Sequence, residues 1–213
     1  MYLKDIMTTN VVTIPSTTSI ADAKRIMKAH KFRRLPVVDK GKLVGLVTEN
    51  RLEGVSPSKA TSLSVWEIGY LLEKTKVKEI MERHVTTVVP DMTVEEAISI
   101  SQQNKVGCLV VLEDNRVVGI VTTNDFFYKI ANKVLGIGEK GSRLEVTNGG
   151  EGKALEEVIS CVNDHGLKIV TIHIYDLPEK TEKDLVVHVD GKKTDEVVDC
   201  LREKGYTVTL RKR

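Results

Sequence analysis

The chain has 213 residues, of which 41% are hydrophobic and 4% aromatic. This composition allows one large domain or two small ones with packed cores, and offers few aromatic platforms for stacking nucleic-acid bases. The 32 basic and 30 acidic residues leave a net charge of +2, so no field of one sign is available to hold nucleic acid or an anionic membrane. No apolar run is long enough to cross a bilayer, and residues 1–5 lack the apolar core of a signal peptide. We therefore expect a cytoplasmic protein with no nucleic-acid or membrane partner.

The chain contains two copies of one unit, related by a shift of 74 positions that carries Gly45 onto Gly119. Each copy predicts a short strand ended by a proline, a capped helix, two strands joined by a turn, and a final helix. The predicted strands are residues 11–14, 35–38 and 43–47 in the first copy and 85–89, 108–112 and 117–121 in the second. A duplicated unit usually builds two like halves packed about a pseudo-dyad, with paired clefts.

A turn-rich stretch at residues 56–63 separates the copies and leads into a helix with a capping box of Ser64 and Glu67. After residue 135 the pattern changes to strand, helix, two strands, helix and strand. The order βαββαβ predicts the ferredoxin-like plan. The segment 136–141 reads GxGxxG, but it follows a helix and precedes a strand, which favours an interdomain hinge over a nicotinamide-nucleotide site.

The cysteines and histidines give no sign of a catalytic or metal centre. Cys108, Cys161 and Cys200 lie in apolar runs without CxxC spacing, so we expect buried small hydrophobic residues. His173 and His188 could meet on neighbouring strands, but no histidine has the spacing of metal ligands, which favours structural roles. No serine, cysteine or lysine has a recognisable nucleophile setting. The sequence predicts no catalytic residue, no metal and no required cofactor.

The repeated Gly-x-Val-Thr motif, with Pro15 and Pro90 and the strand order, resembles the cystathionine-β-synthase (CBS) domain, and two such domains in tandem resemble a Bateman module. This resemblance covers residues 1–135 and implies a regulatory module, usually for adenosine compounds. The tail resembles an ACT domain, a fold that commonly binds amino acids or pairs with its twin. Together with residues 56–65 and 136–143, this arrangement resembles the acetoin-utilisation regulatory protein family.

The expected fold class is α/β (α+β), with a CBS-domain pair followed by a ferredoxin-like βαββαβ ACT domain. The predicted divisions are the first CBS domain at 1–55, a linker and connecting helix at 56–76, the second CBS domain at 77–135, a hinge at 136–142 and the ACT-like domain at 143–213.

Asp125 and Thr122 are the first candidate site residues, in the second copy. A carboxylate at the start of a helix can accept hydrogen bonds from both ribose hydroxyls, while the Thr122 hydroxyl can bond a phosphate. The alternative is that Asp125 only caps its helix. The matching position in the first copy is Arg51, whose guanidinium donates only and cannot accept from a ribose. The first cleft is then empty, or Arg51 fills it or reaches a phosphate.

Arg33 and Arg34 strengthen this asymmetry. By resemblance, they face the phosphate end of the cleft that is built around Asp125, where guanidinium groups suit phosphate oxygens. The matching positions of the second copy are Gly107 and Cys108, which offer no phosphate ligands. The alternative is a solvated arginine pair. Two further candidates, Thr87 and Val88, lie on the strand expected to line the same cleft, where core packing is an equal alternative for Val88.

A further candidate is the loop Asn148, Gly149 and Gly150 of the ACT-like domain, where backbone donors could hold a carboxylate. The alternative is a plain glycine turn. We therefore expect a non-catalytic regulatory sensor that binds AMP, ADP or ATP, with S-adenosylmethionine as a further candidate. It would signal to an unknown regulated protein through a homodimer or through packing of the ACT domain. The alternative function is a ligand-free interaction or dimerisation scaffold.

Overall fold

The computed structural model describes residues 1–55, 63–176, 178 and 181–212, so residues 56–62 of the predicted linker lie outside the description. The chain divides into two compact units, Met1–Phe126 and Phe127–Arg213. This division lies before the predicted boundary at residues 135 and 136. Within the described ranges, no helix combines the length and the apolar character that a membrane crossing requires.

The first unit contains both copies of the repeat. The elements of the first copy are a 3₁₀ turn at Leu3–Asp5, α1 at Ile20–His30, β1 at Arg34–Asp39, β2 at Lys42–Thr48, α2 at Glu49–Gly54 and then α3 at Val65–Lys74. The elements of the second copy are a 3₁₀ turn at Val77–Glu79, β3 at Thr87–Val88, α4 at Val94–Gln103, β4 at Cys108–Glu113, β5 at Arg116–Thr122 and α5 at Thr123–Asp125. The predicted strand at 11–14 is reduced to an isolated bridge between Ile14 and Val37.

The helix starts follow the predicted caps. The Ser19 hydroxyl accepts a hydrogen bond from the Asp22 N–H at 3.0 Å, and the Thr93 hydroxyl accepts one from the Glu96 N–H at 3.3 Å. Each bond satisfies a backbone donor that the first turn of a helix leaves without an intrahelical partner. The caps thus fix where α1 and α4 begin in the two copies.

The N-terminal segment of each copy packs against the other copy. Backbone bridges join Thr8 to Ile120 and Leu46 to Glu82, and both pairs are related by the 74-residue shift. As a result, the end of β5 lies beside the first residues of the chain, and the end of β2 lies beside the segment that begins the second copy. Each cleft therefore combines residues from both copies.

Close packing explains the glycine of the repeated motif. A Cβ on Gly119 would lie 2.4 Å from the Met7 Sδ, and a Cβ on Gly45 would lie 2.6 Å from the Met81 Sδ. A side chain at either position would force the methionine to move, and a Cβ on Gly45 would also lie 2.9 Å from the Glu82 carbonyl oxygen. The exchanged segments thus depend on a methionine from one copy that lies over a glycine of the other.

The second unit begins with a π-helical turn at Phe126–Ala131, which starts at the last residue of the first unit, and α6 at Asn132–Leu135. It continues with β6 at Ser142–Val146, α7 at Gly152–Asp164, β7 at Lys168–Tyr175, β8 at Asp184–Asp190, α8 at Thr194–Glu203 and β9 at Val208–Lys212. The antiparallel sheet has the strand order β7-β8-β6-β9, and its core joins both helices to buried valines and leucines of the sheet. This confirms the βαββαβ order; the ACT assignment stays a prediction.

The predicted hinge at residues 136–142 is packed inside the second unit. A Cβ on Gly141 would lie 2.1 Å from the Val189 carbonyl oxygen, and one on Gly136 would lie 2.7 Å from the His188 Nδ1. The His188 Nε2 also bonds the Lys140 carbonyl at 3.1 Å. The glycines of the GxGxxG sequence therefore allow a close approach to β8, and the segment is not a free linker.

The cysteines of the second unit differ from the expectation of plain buried residues. Cys161 of α7 and Cys200 of α8 form a disulfide with a Cα–Cα distance of 6.3 Å. The two helices pack side by side on the sheet, which brings the cysteines together across a separation of 39 residues. Cys108 is a buried free thiol, as expected.

Candidate functional site

A cleft in the first unit brings the predicted arginines and the predicted aspartate together. This Asp125 cleft has a volume of about 400 Å³. Its walls are the N-terminal segment, the residues between α1 and β1, and the junction of β5 with α5. The lining residues are Thr8, Asn10, Val11, Val12, Lys31, Phe32, Arg33, Arg34, Ile120, Thr122, Asn124 and Asp125.

Asp125 caps its helix and lines the cleft at once. Its Oδ2 accepts hydrogen bonds from the Thr122 N–H at 2.9 Å and from the Thr122 hydroxyl at 2.8 Å. The cap predicted as the alternative role is therefore present. A carboxylate has about four acceptor positions, so capping bonds to one oxygen do not exclude a ligand. Capping and ligand binding are compatible for this side chain.

The basic wall of the cleft comes from the first copy. The Arg33 side chain is 78% exposed and its Nε lies 3.6 Å from the Glu49 Oε2, a separation and exposure that hold it only weakly. Arg34 is half-buried at the start of β1. Lys31, in the left-handed conformation that ends α1, supplies a third cation that the sequence analysis missed. Three cations near one carboxylate suit a ligand that carries phosphate.

Thr87 and Val88 do not line the Asp125 cleft, which corrects the expectation for these two residues. Thr87 is exposed and Val88 is 3% exposed in the core. Both form β3, which pairs in parallel with β4. The corresponding wall of the Asp125 cleft is Val11 and Val12, because the exchanged N-terminal segment belongs to the same copy as the arginines.

A second cleft lies at the matching position around Arg51. This Arg51 cleft has a volume of about 190 Å³, less than half that of the Asp125 cleft. The Arg51 guanidinium is paired with the Glu82 carboxylate and donates a hydrogen bond to the Ile80 carbonyl at 3.1 Å. The side chain therefore occupies its own cleft, which is one of the alternatives that the sequence left open.

The phosphate end of the Arg51 cleft is formed by Gly107 and Cys108. Burial raises the pKa of the Cys108 thiol to about 11. The Arg34 cation lowers this pKa and the Asp125 carboxylate raises it, and both effects are smaller than that of burial. The thiol is thus neutral near pH 7 and is not a nucleophile. Arg34 lines both clefts, and its Nη2 lies 3.0 Å from the position of a Cβ on Gly107.

The predicted ligand loop of the second unit is a packed turn. The N–H groups of Asn148, Gly149 and Gly150 donate to the Asp184 carboxylate, the Val146 carbonyl and the Lys183 carbonyl. These donors are therefore already paired and do not form an open carboxylate cradle. Asn148 does line a cavity of about 460 Å³ beside the ion pair of Glu151 with Lys183, whereas both glycines are buried.

The possible metal-ligand side chains are dispersed over the described part of the chain. No three His, Cys, Asp or Glu side chains there are grouped as a metal site requires. His173 and His188 lie on neighbouring strands, but His188 is opposite Thr171 and His173 is opposite Val186. They are diagonal neighbours rather than a pair.

The fold is a duplicated module with clefts at matching positions of its two copies. The family model of the CBS domain matches residues 3–54 and 77–132, which together make up half of the chain. The chain therefore belongs to the CBS-domain family, as a tandem pair.

Known proteins are similar to part of this chain. L-aspartate semialdehyde sulfurtransferase of Methanocaldococcus jannaschii is 37% identical over 127 residues, which cover 58% of this chain and 22% of that protein. The chain thus spans less than a quarter of that enzyme's length.

Two solved structures have folds similar to that of this chain, with equal TM-scores. The acetoin utilization protein AcuB of Vibrio cholerae is 32% identical with a TM-score of 0.51, covering 62% of this chain and 91% of that chain. The CBS domain pair of protein MJ0100, solved in complex with 5′-methylthioadenosine and S-adenosyl-L-methionine, is 30% identical with a TM-score of 0.51, covering 62% of this chain and 98% of that chain.

Proposed function

We propose that the chain is a non-catalytic regulatory sensor that binds one adenosine-type ligand per chain in the Asp125 cleft. The observation that carries this proposal is the pairing, in one cleft, of a ribose-type acceptor with three cations, Lys31, Arg33 and Arg34. The Arg51 cleft is lined by Arg34, Arg51 and Glu82, and its carboxylate is paired with the Arg51 guanidinium. The complex of the MJ0100 domain pair with two adenosine compounds supports the ligand class.

The charge of the cleft favours phosphate-bearing ligands within this class. AMP, ADP and ATP carry negative charge that guanidinium and ammonium groups can neutralise. S-adenosylmethionine carries a sulfonium cation, which the basic wall disfavours. We therefore expect the nucleotides to bind more tightly than S-adenosylmethionine.

Calorimetric titration with AMP, ADP, ATP and S-adenosylmethionine tests the proposal. Because each charge-assisted bond contributes about 1.5–3 kcal/mol, Asp125→Asn should weaken binding by about 10- to 100-fold. Thr87→Ala, which alters an exposed residue outside the cleft, is the matched control and should leave the affinity unchanged. Arg34→Gln should weaken ATP binding more than adenosine binding.

Signalling would follow from a shift between two packings of the pair. A ligand shifts such an equilibrium only by its differential affinity for the two states, and coupling of about 1–3 kcal/mol is the usual scale. We propose that a homodimer contact or the ACT-like unit passes this shift to a regulated protein of unknown identity.

The alternative is a ligand-free scaffold, and the self-filled Arg51 cleft favours it. Under this alternative both clefts are structural. Absence of heat with every adenosine compound, from a protein that melts cooperatively, would support the scaffold and contradict the sensor.

A further inference from the structure

Residues 132–141, which are α6 and the segment that follows it, cover part of the sheet in the second unit. We call these residues the strap. The strands of the sheet bury valines and leucines on the face that carries α7 and α8. Because side chains alternate along a strand, the intervening residues, such as Arg143 and His188, point to the opposite face. We call that face the outer face of the sheet, and the strap lies on it.

Polar contacts hold the strap to the sheet. The Arg143 guanidinium donates a hydrogen bond to the Leu135 carbonyl, and the His188 Nε2 lies 3.1 Å from the Lys140 carbonyl oxygen. No residue of α6 is buried. Since hydrophobic stabilisation scales with the apolar area removed from water, α6 gains little from covering the sheet.

Polar atoms without a partner are enclosed where the strap meets the sheet. Among the described residues, four side-chain atoms are buried and have no hydrogen-bond partner in the chain: Arg143 Nε, Thr171 Oγ1, His173 Nε2 and His188 Nδ1. Arg143 and Thr171 stand opposite His188 on the two neighbouring strands, and His173 follows Thr171 on the same face of β7. Burying a polar atom without a partner is unfavourable. The closed strap is therefore a marginal state, because opening lets water bond all four atoms.

His188 carries a single ring proton while the strap is closed. Its Nε2 donates to the Lys140 carbonyl, since a carbonyl can only accept, and this leaves Nδ1 without a proton. The Nδ1 faces the backbone of Gly136, where a Cβ would lie 2.7 Å from it. A second proton on His188 would thus meet no acceptor.

The charged groups around His188 give a second proton no compensation. Arg143 faces it from β6 with a positive charge, and the half-buried His173 lies diagonally on β7. Glu145, diagonal to His188 on β6, is paired with Arg211 at 3.2 Å. No carboxylate in the described ranges forms an ion pair with His188. The other charged side chains of the strap and of the strand ends beside it are exposed to solvent: Lys133, Glu139, Lys140, Lys168 and Asp190.

We propose that the strap is an acid-released cover of the outer face, with His188 as the residue that titrates. A histidine in contact with water takes up its second proton near about pH 6.5, whereas the closed strap keeps His188 neutral. The open form therefore binds one proton more than the closed form. Acidification then favours the open form by up to about tenfold per pH unit below about 6.5.

Opening changes the chemistry of the outer face. It frees the Arg143 guanidinium from the Leu135 carbonyl, beside a cavity of about 250 Å³ that Arg143 already lines. The device lies within the second unit. It therefore goes beyond the proposed function and does not depend on a nucleotide in the Asp125 cleft.

Hydrogen exchange of the full chain, followed by mass spectrometry of its peptides, tests the strap between about pH 7.5 and about pH 5.5. The Ile137 N–H donates to the Asn132 carbonyl at 2.8 Å, and a four-residue helix loses such bonds once it leaves its support. After correction for the intrinsic pH dependence of exchange, protection of residues 132–141 should fall about tenfold with acid. Protection of α8 in the same unit should stay constant. Strap protection that does not change with pH, or an equal fall in α8, would overturn the proposal.

His188→Gln identifies the titrating group. The glutamine amide can donate to the Lys140 carbonyl but takes up no proton, so strap protection should vary by less than about twofold over the same pH range. His165→Gln is the matched control. His165 lies at the end of α7, outside the strap, with its Nδ1 2.7 Å from the Cys161 carbonyl oxygen, and this variant should keep the full acid response.

A full acid response in His188→Gln would contradict the assignment of His188. If that variant does not fold, the contrast between the strap and α8 in the unmodified chain still decides whether acid releases the strap.

Discussion

Asp125 and Arg51 occupy matching positions in the two copies and give the two clefts opposite chemistry. Asp125 accepts bonds at the start of α5, whereas Arg51 donates to the Ile80 carbonyl and pairs with Glu82. Residue chemistry alone predicted this asymmetry, because a guanidinium cannot accept a hydrogen bond. Lys31 escaped prediction, since its position at the end of α1 becomes part of a cleft only when the chain folds.

Arg51→Ala tests the closed cleft at the residue scale. The ion pair with Glu82 is nearly half exposed on both sides, so its loss should lower the free energy of unfolding by no more than about 1 kcal/mol. Alanine at position 51 still offers no acceptor for a ribose, so calorimetry should still give one nucleotide per chain. Arg83→Ala, which removes an arginine bonded to the Lys78 carbonyl, is the control; a second bound nucleotide in Arg51→Ala alone would contradict this account.

At the scale of elements, the caps and turns carried most of the predictive signal. Ser19, Ser64 and Thr93 begin helices where the capping pattern places them. The segment predicted as a hinge lies close to β8, because glycines that give flexibility in sequence also permit close packing. Whether these glycines give flexibility or close packing depends on β8, which lies far along the chain from residues 136–142.

Gly136→Ala tests the packed segment. Gly136 has φ +60, and an added Cβ would lie 2.7 Å from the His188 Nδ1, so backbone strain and crowding together should lower the free energy of unfolding by about 2–4 kcal/mol. Gly138→Ala is the matched control. It shares the positive φ but meets open space, so only the strain of about 1–2 kcal/mol applies. Equal losses in thermal unfolding of the two variants would count against the packed segment.

At the scale of the whole molecule, the repeat predicted two like halves but not how they exchange segments. The sequence pattern is compatible with an Asp125 cleft lined by the first strand of either copy. The prediction took the strand with Thr87 and Val88, which is the wrong one. The bridges of Thr8 with Ile120 and of Leu46 with Glu82 decide the matter, and they are long-range contacts that local pattern does not encode.

The disulfide also arises only from tertiary packing. Cys161 and Cys200 meet because α7 and α8 lie side by side, and their sequence spacing carries no pairing signal. Disulfides are uncommon in cytosolic proteins, so this bond disagrees with the predicted cytoplasmic location. The location stays a prediction.

A crystal structure of the chain grown with ATP or AMP tests the central claim most directly. We predict one nucleotide per chain in the Asp125 cleft, with its ribose hydroxyls on the Asp125 carboxylate and its phosphate beside Arg34. The Arg51 cleft should retain the ion pair with Glu82. A nucleotide bound instead in the Arg51 cleft, or an Asp125 cleft without ligand at saturating nucleotide, would contradict the account.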